Sequence, residues 1–134
     1  MDANGDWTKG KWIKDKGSWY YIRPDGYMAS NQWVKASGGW CYVGAGGKMV
    51  TNGWVKDSKG WCWMGADGYW VKNKWIKDKG TWYYINASGY MASSQWVKTG
   101  GRWYYLKASG AMATGTQTIN GKIYRFDSSG RWVQ

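Results

Sequence analysis

The sequence predicts an all-β chain of stacked β-hairpins. Three observations carry that prediction: a composition rich in aromatics and poor in aliphatics, a 21-residue period, and a strand–turn–strand pattern inside each period. Of 134 residues, 14 are Trp, 11 are Tyr and one is Phe, while Leu, Ile, Val and Phe together number only 15. Few aliphatics with a net charge of +11 would ordinarily mark a disordered chain. Here Trp and Tyr supply the apolar surface instead, each burying roughly 150–250 Å² when packed. A single Leu, no Glu and 21 Gly argue against helices, whereas Trp, Tyr, Val, Ile and Thr suit strands.

The period is visible in five registers. Trp12, Trp33, Trp54, Trp75 and Trp96 stand 21 residues apart, and so do Trp19, Trp40, Trp61, Trp82 and Trp103. A third series, Tyr21, Tyr42, Trp63, Tyr84 and Tyr105, is aromatic throughout. Gly26, Gly47, Gly68, Gly89 and Gly110 follow, and two residues beyond each comes Met28, Met49, Trp70, Met91 or Met112. The chain therefore reads as a single repeat module over 1–134, with units 12–32, 33–53, 54–74, 75–95 and 96–115. Residues 1–11 form a partial unit, with Gly5 at the glycine register and Trp7 at the Met register. Residues 116–134 form a degenerate cap, as terminal repeats usually do. There Thr116 and Ile123 replace the two strand Trp, while Tyr124, Phe126, Gly130 and Trp132 keep the outline. Units 12–32 and 75–95 are identical at 16 of 21 positions, which fits either three units per superhelical turn or an ancestral triplication. Beginning within a repeat also suggests a fragment of something longer, natural or engineered.

Each unit reads as a hairpin. In residues 12–22 the turn formers Asp15, Lys16 and Gly17 separate two aromatic runs, predicting a loop of roughly three to five residues. Pairing Trp12 with Tyr21 puts Trp12, Trp19 and Tyr21 on one face and Ile13, Tyr20 and Ile22 on the other, because strand side chains alternate. The stretch after it, to Gln32, is a turn and connector. A lone hairpin is marginal in water, so stacking must cover the aromatic faces.

Several function classes drop out. Without His, neither a histidine base nor a His-built zinc site is available. Glycoside hydrolysis needs two opposed carboxylates in a cleft, and the Asp residues here fall mostly at turns, among them Asp15, Asp25, Asp57, Asp67 and Asp78. Cys41 and Cys62 occupy equivalent positions in adjacent units, with no partner base for a catalytic thiol. Buried free thiols and a disulfide both remain open for them. No enzymatic activity, cofactor or metal site is expected. No run of 18 apolar residues occurs, so no membrane span is expected. The opening residues hold no signal-peptide core, and export is expected to rest on a signal outside this sequence or on release by another route.

What remains is binding. Aromatic faces carry negative quadrupole charge, and an enclosed set of them suits a quaternary ammonium. A thioether can fill the remaining wall. Lys14, Lys35, Lys56, Lys77 and Lys98 recur at the same period, so a phosphodiester polymer bearing quaternary ammonium groups would satisfy rings and lysines together. As a plain alternative, the lysines are solvated hairpin positions that protect strand edges, and the Trp residues are core.

The unit WVKTGGRWYYLKASGAMATG (Trp96 to Gly115) resembles the choline-binding repeat of bacterial and phage cell-wall-binding modules, with its pattern GW…WYY-x(4)-G-x-M. The resemblance spans roughly residues 5–132 and implies a hairpin solenoid with left-handed superhelical winding. It also implies choline binding between consecutive hairpins, on choline-decorated teichoic or lipoteichoic acid. Each cage would take the two strand Trp of one unit and an aromatic of the next, closed by a Met-register side chain. That assigns Trp12 and Trp19 with Tyr42 or a neighbour, Trp33 with Trp40, Trp54 with Trp61, Trp75 with Trp82, and Trp96 with Trp103. Trp63, Tyr84, Tyr105 and Tyr124 are the further ring candidates, and Met28, Met49, Met91 and Met112 the Met-register ones. Tyr20, Tyr83 and Tyr104, on the other hairpin face, are expected to be structural. Cys41 and Cys62 depart from the family's middle Tyr, and Trp63 and Trp70 from a Tyr and a Met. No full cage is expected within the last unit, although Tyr124 or Phe126 can close the preceding one. Four or five working sites are expected.

The resemblance further implies an extracellular, cell-wall-associated module attached to a catalytic or surface domain, as in a lysin, and allows a homodimer. The alternative is a glucan-binding array of the glucansucrase or toxin type, although those relatives are Tyr- and Phe-rich. Basic charge beside stacking aromatics is also a single-strand nucleic-acid recipe. Steep salt dependence without choline competition would mark it, and no nucleic-acid partner is predicted. A pure scaffold or consensus-derived array is the remaining class.

Overall fold

A computed structural model describes residues 10–36 and 39–133; Gly5 and Trp7, read above as the end of an earlier repeat, lie outside these described residues. Every strand belongs to a hairpin. β1 (Lys11–Asp15) pairs with β2 (Ser18–Ile22), β3 (Gln32–Ala36) with β4 (Gly39–Val43), and β5 (Gly53–Asp57) with β6 (Gly60–Met64). β7 (Lys74–Asp78) pairs with β8 (Thr81–Ile85), and β9 (Gln95–Thr99) with β10 (Arg102–Leu106). β11 (Gly115–Ile119) pairs with β12 (Lys122–Phe126), which also takes the short β13 (Trp132–Val133). Among the described residues no helix is long and apolar enough to cross a membrane.

The antiparallel register is the expected one. Trp12 lies opposite Tyr21, Trp33 opposite Tyr42, Trp75 opposite Tyr84 and Trp96 opposite Tyr105. The turns are tighter than expected. Asp15 still pairs with Ser18, so only Lys16 and Gly17 form the loop, with φ of 51° and 83°. Two positive φ angles in a two-residue loop match the right-handed twist of the flanking strands. Lys79–Gly80 and Asn120–Gly121 repeat this geometry.

The connector does more than link. In unit 12–32 it turns at Gly26, whose N–H donates to the Arg23 carbonyl, and comes back so that Met28 bridges Ile22 and the Ala29 N–H donates to the Tyr21 carbonyl. The same bridge recurs between Val43 and Met49, Met64 and Trp70, Ile85 and Met91, and Leu106 and Met112. Asn31, Asn52, Asn73 and Ser94 then take left-handed φ angles of 46–54°, which Asn tolerates better than most residues. They redirect the chain into the next hairpin.

The chain divides into two compact units, Met1–Asp57 with Trp61–Val71 and Ser58–Gly60 with Lys72–Gln134. Inside the first, the Met49 N–H donates to the Trp19 carbonyl and the Trp70 N–H to the Trp40 carbonyl, tying one hairpin to the next. The Met112 N–H donates to the Trp82 carbonyl in the same way inside the second. The scarce aliphatics make the core: Val43 and Met64 are fully buried in the first unit, Ile85 and Leu106 in the second. Ala29, Ala92 and Ala113 fill the remaining space where the connector crosses. Reading every Trp as core therefore fails. Trp63 is buried, but the second-strand Trp of each unit leaves about 40% of its surface exposed (39–41% for Trp19, Trp40, Trp61, Trp82 and Trp103).

Candidate functional site

The exposed Trp rings border concave pockets. In the second unit, Trp96 and Trp103 meet at 6.5 Å and 83°, and Tyr124 lies 5.0 Å from Trp96. With Trp132, 6.0 Å from Trp96, they line a cavity of about 320 Å³. Nothing charged is in that lining. One hairpin earlier, Trp75, Trp82, Tyr104, Met112 and Ser129 line a cavity of about 210 Å³. Trp75 is held there by Tyr104 at 4.9 Å and by its indole N–H donating to the Thr99 hydroxyl, 3.1 Å away.

In the first unit, Trp12 and Trp19 line a cavity of about 300 Å³ with Ala36, Cys41, Met49, Asp67 and Tyr69. The arrangement in the two units follows one rule. Two Trp come from one hairpin, and the wall comes from the middle of the next hairpin's aromatic triplet and its Met register; in the Trp12–Trp19 and Trp75–Trp82 pockets a turn residue of the hairpin after that, Asp67 or Ser129, joins them.

This corrects the sequence reading in one register. Tyr42 does not line the Trp12–Trp19 cavity; it packs edge-on against Trp33 of its own hairpin at 5.3 Å. Trp63, Tyr84 and Tyr105 do the same with Trp54, Trp75 and Trp96, and Tyr21 packs tilted against Trp12, all at 5.0–5.3 Å. They brace the inner Trp. The ring that closes the pocket is one residue earlier: Tyr104, on the face expected to be structural, and Tyr124, the residue expected to close the preceding pocket. A hairpin in a stack has no outside face: its reverse side is the wall of its neighbour's pocket.

Among the Met-register candidates, Met49 and Met112 line pockets. Met28 is half-exposed and sits against Gly47, and Met91 packs against Gly110. Trp70 packs against Trp33 at 5.0 Å with the rings tilted by 43°, an indole where the other units have a thioether. Trp54 and Trp61 meet at 6.3 Å and 80°, like Trp96 and Trp103. Sequence reasoning missed Trp132, Asp67 and Tyr69 as lining residues. The Met-register series continuing to Trp132 was the available signal; for Asp67 and Tyr69, two repeats away from Trp12, there was none.

The in-register lysines stand against the outer rings. Lys14 Nζ lies 5.8 Å from the Trp19 ring centre, Lys56 5.6 Å from Trp61, Lys77 5.7 Å from Trp82 and Lys98 5.8 Å from Trp103. Lys14 is directly opposite Trp19 across the hairpin. Each aromatic pocket thus carries an ammonium at its edge.

Both thiols are free and buried. Burial pushes the Cys62 pKa up to about 12, with the Asp57 carboxylate adding to the effect. Burial, then the charge of Asp67, also raises that of Cys41. The neutral thiol stabilises the fold fully below the ordinary value of 9.0, and this contribution is lost as pH rises from there toward 12, where the unfolded chain ionises first. The urea midpoint is accordingly expected to fall more steeply between pH 9 and 12 in the wild type than in Cys62→Ala. Parallel slopes would refute it.

Comparison with known proteins bears on the family and the fold. Residues 90–132 match the choline-binding repeat family, and residues 10–28 and 73–91 match a cell wall binding repeat family. No curated protein sequence matches the chain. Among solved structures, choline binding protein F of Streptococcus pneumoniae is 37% identical, with a TM-score of 0.75 over 96% of this chain and 42% of its own. The choline-binding domain of CbpL from Streptococcus pneumoniae is 34% identical, with a TM-score of 0.75 over 95% of this chain and 65% of that one. A pneumococcal cell wall endolysin from phage Cp-1, complexed with choline, is 43% identical, with a TM-score of 0.58 over 62% and 25%. The chain spans less than two thirds of each of these relatives' length. It belongs to the choline-binding repeat family. Such repeats form binding modules rather than catalytic ones.

Proposed function

We propose that this chain is a non-catalytic module that anchors to the bacterial cell wall by binding the choline of teichoic and lipoteichoic acids. The observation that carries the reading is the pocket of Trp96, Trp103, Tyr124 and Trp132. Its rings present negative quadrupole potential without formal charge, and a trimethylammonium group has no N–H to leave unsatisfied. At roughly 0.5–2 kcal/mol per ring, one pocket holds choline at about millimolar affinity, near −4 kcal/mol. Several such pockets on one chain convert weak contacts with a polymer into tight retention through effective concentration. The lysines beside the outer rings suit the other half of the ligand, since a phosphodiester linked to choline lies within roughly 8–10 Å of them, a Debye length. The module acts outside the cell, as the targeting part of a lytic or surface protein.

A choline titration followed by Trp fluorescence tests the reading. Saturation is expected at about 1 mM, with the uncharged isostere 3,3-dimethyl-1-butanol at least ~10-fold weaker and glucose oligomers silent. Trp103→Ala is expected to delete one pocket's share of the signal. A response to glucan but not to choline would make the array a sugar binder and overturn the proposal.

A further inference from the structure

The Trp12–Trp19 pocket differs from the other two in a way that bears on what it accepts. Asp67, an exposed turn residue, contributes a carboxylate to its rim, where the Trp75–Trp82 pocket has the hydroxyl of Ser129 and the Trp96–Trp103 pocket has only rings. Its wall is also different. Cys41 replaces the phenol that Tyr104 supplies one pocket along, and Tyr69 enters from the same turn as Asp67. The cavity, about 300 Å³, lies between the about 210 Å³ of the Trp75–Trp82 pocket and the about 320 Å³ of the Trp96–Trp103 pocket, so the carboxylate rather than the size sets it apart. Asp67 is positioned by its own turn, with Oδ1 accepting the Tyr69 N–H at 3.0 Å. An ionised carboxylate has lone pairs for further donors.

A pocket of rings alone selects for quaternary ammonium. A primary ammonium buried there keeps its cation–π attraction but leaves N–H donors without acceptors, and that desolvation is costly. A carboxylate at the rim removes the selection by accepting an N–H and adding opposite charge. Resting on the reading of these pockets as ammonium sites, we propose that the Trp12–Trp19 pocket is a second specificity class, set by Asp67. It binds primary ammonium groups as well as quaternary ones, while the Trp96–Trp103 pocket takes only the quaternary.

Indole N–H NMR signals test this with the two probes choline and ethanolamine, reading Trp12 and Trp19 separately from Trp96 and Trp103. Choline is expected to shift both sets. Ethanolamine is expected to shift Trp12 and Trp19 with an affinity within about five-fold of choline's, and to bind the other pocket at least ~10-fold more weakly than choline does. Asp67→Asn keeps an oxygen for the Tyr69 N–H. It is expected to weaken ethanolamine at the Trp12–Trp19 pocket by about five-fold and choline by about two-fold. Ser129→Asp is expected to confer ethanolamine binding on the Trp75–Trp82 pocket. If choline shifts both sets but ethanolamine shifts neither or both equally, or if Asp67→Asn changes nothing, the proposed selectivity is wrong and the ammonium reading stands. If choline shifts neither set, both are wrong.

Discussion

Trp96→Ala is expected to cost the second unit both its stability and a binding pocket. The Trp96 ring is within 5.0–5.6 Å of Tyr105, Tyr124 and Phe126, and at 6.0 Å from Trp132. It also packs against the buried cluster of Ala113, Ile119 and Phe126. Removing such a ring typically costs about 3–5 kcal/mol, a large part of the ~5–15 kcal/mol that holds a domain. Trp103→Ala is the informative contrast. Trp103 borders the same cavity but is 40% exposed, and it meets Trp96 only at 6.5 Å. Its loss is expected to cost about 1 kcal/mol or less in stability while removing choline binding at that pocket. Urea unfolding followed by circular dichroism, beside the choline titration, separates the two. Equal urea midpoints for the two variants would contradict this division of labour.

Gly68→Ala is expected to be strongly destabilising for so small a change in side chain. Gly68 sits at φ +86°, and a Cβ there would lie 2.5 Å from both Sδ and Cε of Met49 and 3.1 Å from its Cγ. Left-handed backbone costs an alanine about 1–2 kcal/mol, and overpacking adds about 1–3 kcal/mol. The displaced Met49 is also a wall of the Trp12–Trp19 pocket, so choline binding there should weaken with stability. Gly17→Ala isolates the backbone part, because Gly17 has φ +83° and nothing within 4 Å of its would-be Cβ. The difference in unfolding free energy between the two variants reads the Met49 contact. Finding none would show that the methionine simply yields.

The repeat glycines illustrate how much was legible. Their period announced a turn in every unit, and each turn is there; that the same position must also stay empty for the preceding unit's methionine emerges only when hairpins stack. Hairpin register was equally readable, since alternation alone places Trp12 opposite Tyr21. Loop length was not, because the choice between two residues and four at Lys16–Gly17 turns on φ angles rather than on residue type.

The site was half legible for a related reason. The paired Trp were found by spacing, as residues of one hairpin must be. The family resemblance points to Tyr42 or a neighbour for the third wall at Trp12–Trp19 and to Tyr124 at Trp96–Trp103; the structure keeps Tyr124 but draws the other walls from Cys41 and Tyr104, on the reverse face of the next hairpin. Asp67 and Tyr69 arrive at Trp12 from two repeats away. Local pattern carries no information about that distance.

The sequence by itself determined the fold class, the repeat, the strand register and the pairs of Trp, because each depends on contacts inside some twenty residues and on the alternation of side chains along a strand. Only the tertiary structure decided which face of one hairpin meets which face of the next. On that depends which rings brace, which rings line a cavity, and where a carboxylate joins them. Those choices are made by the connector, whose left-handed Asn and returning bridge set the offset between neighbouring hairpins. A pocket built between repeats exists only once that offset does.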